Sequence, residues 1–228
     1  MCGRFTQMMT WRELHELYAL AEPLALTDPE PRYNGAPTQD FSVCRTDENG
    51  DRVIARLRWG LVPAWAKDIK MGARMINARS ETVHEKPAFG AAFRSRRCLV
   101  PADGWFEWQR AGHGKQPYFL ALADGSPLSF AGLWERWNRG SDTIETFSIL
   151  TTAADAPLAD IHHRQPAIIN PEHFSVWLDG ESPAETLLDL ARKPRAGPYE
   201  IRAVSTRVNS VRNDDPDILT PMSQQRLF

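Results

Sequence analysis

Through the middle of the chain apolar and polar residues alternate, the two-residue period of strands with one buried face. The clearest pair is "FSVCRT" and "RVIARLRW", joined across Asn49-Gly50, a dipeptide suited to a hairpin turn. In the second strand Val53, Ala55, Leu57 and Trp59 share one face, and Arg56 and Arg58 share the other. "RCLV", "WFEWQ", "PYFLALA", "LSFAGLW" and "TFSILTTAA" continue the pattern, separated by turn-prone "PADG", "AGHGK" and "ADGS". They predict a mostly antiparallel meander. "CGRFT" at the start reads as a further strand, and "MINARSE" as a strand end with Asn77, Arg79 and Glu81 on one face.

The period changes to a helical one near both ends. Thr10 and Glu13 form a capping box ahead of Leu14, Leu17, Tyr18 and Ala21. Asn170 is placed to cap "PEHFSVWL", and Ser182, Pro183 and Glu185 to open "PAETLLDLAR". Strands grouped between helical ends predict an α+β fold, with a mostly antiparallel sheet core flanked by helices, as an open barrel or two packed sheets. With no repeat, low-complexity tract or linker, one domain is expected over 1–228, with its core at 2–222 and a tail at 223–228.

At 228 residues the chain can bury roughly 70% of its unfolded surface, enough for a substantial core. A formal net charge of -2 excludes long-range attraction of a polyanion, so any nucleic-acid site must be local. Residues 52–79 supply such a patch: Arg52, Arg56, Arg58, Lys67, Lys70, Arg74 and Arg79 stand against Asp68 alone. A solvated strand face would have the same composition. Cys2, Cys44 and Cys98 are odd in number and without a C-x-x-C pair, so no disulfide framework, metal site or cofactor is expected. No apolar run is long enough for a leader or a membrane span, which leads us to expect a cytoplasmic protein without a membrane partner. P-loop, G-x-G-x-x-G, G-x-S-x-G and H-E-x-x-H motifs do not occur.

Cys2 changes the picture. Its small side chain permits removal of the initiator methionine, which would leave an amine and a thiol on one residue. Such a 1,2-aminothiol condenses with an aldehyde to an imine, and its thiol then closes a five-membered thiazolidine. With ordinary pKa values of about 8 for the amine and about 8.5 for the thiol, only a minor fraction of each is nucleophilic at neutral pH. Nearby cations such as Arg4 would raise those fractions. The same residue would also serve an N-terminal-nucleophile amidohydrolase, whose thiol attacks an amide while its amine acts as base. A small buried apolar residue is the third reading.

Three segments supply possible companions. Asn77 and Arg79 could clamp a phosphate and orient Cys2, or simply end a surface strand with an Arg-Glu pair. Glu107 lies between Phe106 and Trp108, on the side of the strand shared with Trp105. It is either an edge carboxylate facing water or a proton carrier whose pKa is raised by aromatic surroundings. His162 and His163 are adjacent, unlike the i, i+4 spacing of a helical metal site, and a single acid/base imidazole is the simpler reading beside a structural histidine.

"MCGRF", "RYNGAPT", "RWGLVPAWAKD", "MINARSET", "VPADGWFEW", "TTAA", "DIHHRQPAII" and "VSTRVNSVRND" occur in an order that resembles the SRAP (SOS response-associated peptidase) family, from Cys2 to about Met222. The resemblance implies a DNA-damage-response protein that binds single-stranded DNA or single-strand/double-strand junctions and captures abasic sites. Cys2 would form a thiazolidine cross-link with the open-chain aldehyde. Asn77 would position the reacting groups, Glu107 would assist proton transfer at the sugar oxygen and in reversal, and His162 would act in ring opening and imine formation. Arg4, Arg79 and Arg164 would hold phosphates, with Asn34 and Thr151 in the same DNA-contacting set and Trp59 or Trp65 against exposed bases. A monomer is expected, associated with the nucleoid when bound to DNA. Gly35 departs from the branched residue usual in the family, and Gln165 stands at a variable place.

A glutamine amidotransferase or related amidohydrolase is the principal rival, with Asn34-Gly35 as an oxyanion hole. A passive DNA-binding module is the third class, and on that reading affinity would survive Cys2→Ala.

Overall fold

The computed structural model describes residues 2–21, 27–112, 114–139, 141–193 and 197–222. Met1, His113 of the predicted "AGHGK" turn, and the tail at 223–228 lie outside the described residues. The chain begins with β1 (Phe5–Gln7) and α1 (Trp11–Tyr18), then β2 (Arg32–Gly35), β3 (Asp40–Thr46), β4 (Arg52–Trp59) and β5 (Asn77–Arg79). After α2 (Gly90–Ser95) come β6 (Arg97–Ala102), β7 (Gly104–Ala111), β8 (Gly114–Leu122), β9 (Leu128–Arg139) and β10 (Asp142–Ala153). β11 (Arg164–Pro166), α3 (Phe174–Leu178), α4 (Ala184–Arg192) and β12 (Tyr199–Ala203) complete the order.

Two sheets result. One has the order β12-β8-β7-β1-β2; in the other, β10, β4, β3, β6 and β9 follow one another, and β9 pairs back onto β10. That last pairing closes a five-stranded ring, so the barrel is closed where the sequence pattern left it open. The β3–β4 hairpin pairs Asp40 with Arg58 through Thr46 with Arg52, as predicted. A pure meander does not form, because β10 runs parallel to both β4 and β5.

Alternation decides what each face of the ring covers. Phe41, Val43, Leu57, Trp59, Cys98, Val100, Phe130 and Phe147 belong to one core, joined by Phe5 and Trp105 of the other sheet. Cys44, Leu99, Ala131 and Leu133 point the opposite way, into a second core with Leu14, Tyr18, Phe93, Trp177 and Leu187 of the helices. Gly35 is explained by the first core: a Cβ there would meet the Phe41 ring at 2.5 Å and the Phe5 carbonyl oxygen at 2.9 Å. A branched residue requires a smaller neighbour than Phe41.

The helix ends differ in how they are closed. Thr10 and Glu13 make the predicted capping box, but α1 stops at Tyr18 because Ala19 turns left-handed at φ 49°, so Ala21 lies beyond it. Asn170 makes no side-chain cap, and α4 begins after Pro183 without one. Ser182 instead donates its hydroxyl to Asp179 at 2.9 Å, which diverts the predicted cap. The C-termini of α2 and α3 are held by buried Arg97, which donates to the carbonyls of Phe93, Arg94, Trp177 and Asp179.

Candidate active site at the seam of the two sheets

Cys2 lies ahead of β1 and is fully buried in the core shared by the two sheets. Asn77, brought beside it by the parallel pairing of β5 with β10, donates its amide Nδ2 to the Cys2 carbonyl at 2.7 Å. The Asn77 Oδ1 atom is buried and has no hydrogen-bond partner among the described residues. Glu107 comes from β7 of the other sheet and is also buried. Strand alternation sends Phe106 and Trp108 to the core beneath the C-terminal segment and leaves Glu107 on the Trp105 side, facing the seam.

The electrostatics follow from this burial. Loss of solvent pushes the Cys2 thiol far up, the Glu107 charge adds to the rise, and the terminal amine and a hydrogen bond from the Arg4 backbone N–H oppose it. Burial likewise raises Glu107 to about 7, against the pull of the same amine. His162 is shifted the other way, below its ordinary value, first by burial and then by the amine's positive charge. Its Nδ1 lies 3.0 Å from the Arg164 backbone N–H, which it accepts in one tautomer, and 3.1 Å from the Arg164 carbonyl, to which it donates in the other.

The other predicted residues divide by exposure. Trp65 is 59% exposed and lines a groove with Met75, Asn77, Arg79, Val83 and Phe89. Arg79 is also exposed, and the predicted Arg79–Glu81 pair is replaced by a pair between Glu81 and Arg164. Trp59 is fully buried, its ring at 5.0 Å from Phe5 and stacked near Phe147, with Nε1 donating to the Ile76 carbonyl at 2.9 Å. It is a core residue with no face for a base. Thr151 is buried under Arg164. Asn34 is buried and donates to the carbonyls of Val208, Ser210 and Asn213, while Arg4 donates to Asn34, Val208 and Asn209. Asn34 and Arg4 therefore fasten the C-terminal segment behind the site, and their amide and guanidinium are occupied by protein groups. Asn34 is accordingly engaged by carbonyls rather than arranged as an oxyanion hole.

Arg52 leaves the predicted basic patch, since it donates to the Tyr18 carbonyl and the Ser175 hydroxyl. Sequence reasoning missed the Arg4 backbone contact to the thiol and the Trp108 bond to Asn209 at 2.8 Å, neither of which has a local pattern. Among the described residues no cluster of three or more His, Cys, Asp or Glu could hold a metal, and no helix is long and apolar enough to cross a membrane.

A closed barrel and a second sheet, with an N-terminal cysteine set between an amide and a carboxylate at their seam, define a class of proteins. A family model described as SOS response associated peptidase (SRAP) matches residues 1–211, and the chain belongs to that family. It is 37% identical over 222 residues to the abasic site processing protein YoqW of Bacillus subtilis (strain 168), covering 96% of this chain and 99% of that one. It is 34% identical over 230 residues to the abasic site processing protein YedK of Escherichia coli (strain K12), covering 97% and 100%. A solved protein from Bacteroides thetaiotaomicron shares the fold with a TM-score of 0.84 at 24% identity, covering 96% of this chain and 99% of that one.

Proposed function

We propose that this chain senses and shields abasic sites in single-stranded DNA and at single-strand/double-strand junctions, through a covalent cross-link to Cys2. The observation that carries the reading is the placement of Cys2, its carbonyl held by Asn77 and its thiol within the field of Glu107. The names of the family relatives give the lesion. Removal of Met1 moves the α-amine onto Cys2, beside the unpartnered Asn77 Oδ1, which can accept one of its protons.

The chemistry needs no oxidant. Opening the abasic sugar moves the anomeric hydroxyl proton off and a proton onto the ring oxygen, leaving an aldehyde at C1′. The Cys2 amine adds to that carbon, and the carbinolamine loses water to give a C=N bond. The thiol sulfur then bonds to C1′ and its proton passes to nitrogen, so one water leaves for each cross-link. Glu107, poised at about 7, holds a proton for the ring oxygen or the departing water and can take one back from the thiol. His162 would exchange a proton in the opening and imine steps. Because burial keeps the thiol protonated, the amine attacks first and the sulfur closes the ring afterwards. Arg79 and Trp65, both exposed beside Asn77, would meet a phosphate and a base. We expect a monomer acting in the cytoplasm, at the nucleoid.

The test is to mix the protein, with Met1 removal verified by mass, with a single-stranded oligonucleotide carrying one abasic site, and to look for a heat-stable shift on a denaturing gel. Insertion of Ala before Cys2 keeps the thiol but displaces the amine, and should abolish the shift. No shift from the verified protein, together with hydrolysis of glutamine amides, would replace this reading with the amidohydrolase one.

A further inference from the structure

Arg164 is the phosphate ligand that the resemblance implies, yet its guanidinium is already occupied. Both terminal nitrogens reach Glu81: Nη1 donates to Oε1, and Nη2 to Oε2 at 2.9 Å. Nη2 also donates to the Thr151 carbonyl and, at 3.3 Å, to the Thr151 hydroxyl. The arginine side chain is 12% exposed and the glutamate 43%, so the carboxylate lies on the solvent side of the pair. A carboxylate on a guanidinium fork has the geometry and charge of two phosphodiester oxygens. Arg79, two residues before Glu81, is exposed, so an approaching strand meets both groups together.

Resting on the DNA-capture reading, we infer that Glu81 is an internal stand-in for a DNA phosphate, which the strand must displace from Arg164 before that residue can bind it. The arginine does not need Glu81 for its orientation, because Thr151 holds it from the buried side and its own backbone N–H is tied to His162. Glu81 therefore lowers affinity for any single strand without taking part in the chemistry at Cys2. It also weakens the salt dependence: when a phosphate replaces Glu81, the released carboxylate recruits a cation and offsets one that the strand gives up.

The experiment measures binding of undamaged and abasic single-stranded oligonucleotides across a salt series, with Cys2→Ala in every protein so that only reversible binding is read. Glu81→Gln should bind both strands about two- to fivefold more tightly, the scale of one exposed ion pair. Its log–log salt slope should steepen by about 0.7, the value for one more phosphate neutralised on a single strand. In an Arg164→Ala background the Glu81→Gln change should have no effect on either quantity. Weaker or unchanged binding by Glu81→Gln, with Glu81 otherwise intact proteins binding normally, would overturn the inference and make Glu81 a support of Arg164. Absence of binding by every protein, the parent included, would instead overturn the DNA-capture reading.

Discussion

Cys2 and Cys98 are both fully buried, and burial lifts both thiols far above their ordinary range. Their surroundings are otherwise opposite. Cys98 lies within β6, paired with Gly132 of β9, and a Cβ on that glycine would stand 2.6 Å from its sulfur. Its backbone is consumed by the ladder and by the indole of Trp177, which donates to its carbonyl at 2.9 Å. Cys2 precedes β1, outside any ladder, with the Asn77 amide on its carbonyl, the Arg4 N–H on its sulfur and Glu107 acting on its thiol. Burial holds a thiol protonated in both places. On the proposed reading, neighbours that can carry protons make Cys2 the reactive one.

The widest separation should come from removing each sulfur. Cys2→Ala should form no heat-stable cross-link with an abasic strand, whereas Cys98→Ala should cross-link at the parent rate and lose only about 1 kcal/mol in urea unfolding. Equal loss of cross-linking in both would show that burial, not the polar neighbours, governs reactivity.

Glu107→Gln comes next and should slow single-turnover cross-linking by about 10²-fold at neutral pH. The parent's decline in rate above about pH 7, where Glu107 loses its proton, should vanish in this variant. The same carboxyl links to stability. Its folded pKa of about 7 exceeds the ordinary 4.5, so between these values the native state keeps a proton that the unfolded chain has lost. Stability then falls as pH rises through that window, by roughly 3 kcal/mol in all. Glu107→Gln should therefore be the more stable protein at about pH 8, with the gap closing by about pH 4.5; equal stability curves would refute the raised pKa. Asn77→Ala, which removes one hydrogen bond to Cys2, should cost about tenfold in cross-linking rate with the affinity for an undamaged strand retained.

Much of the scaffold was legible because its signals are local. The Asn49-Gly50 hairpin, the Thr10/Glu13 cap and the division of Glu107 from its aromatic neighbours depend on residues within a few positions of one another. The parallel pairings of β10 with β4 and β5 join distant segments, and no periodicity announces them. β2 and β12 were missed for a related reason: "RYNG" is too short to show a period, and β12 is recognisable only against β8. Cys2, Asn77, Glu107 and His162 stood out by residue type and by resemblance. The partners of Asn34 and Arg4, Val208 to Asn213, lie more than 170 residues away, and no local pattern announces them. Trp59 was ambiguous in principle, since an indole that stacks on a base and one that fills a barrel look alike in a sequence.

A chain made from its N-terminus exposes Cys2 first and buries it late. The strand that holds Asn77 in place is β10, ending at Ala153, and His162 follows it. At about 5–20 residues per second, translation leaves the N-terminus without its finished surroundings for on the order of ten seconds. In that interval Cys2 has neither Asn77 nor Glu107 held beside it. On the proposed reading, the reaction at Cys2 therefore awaits the completed chain.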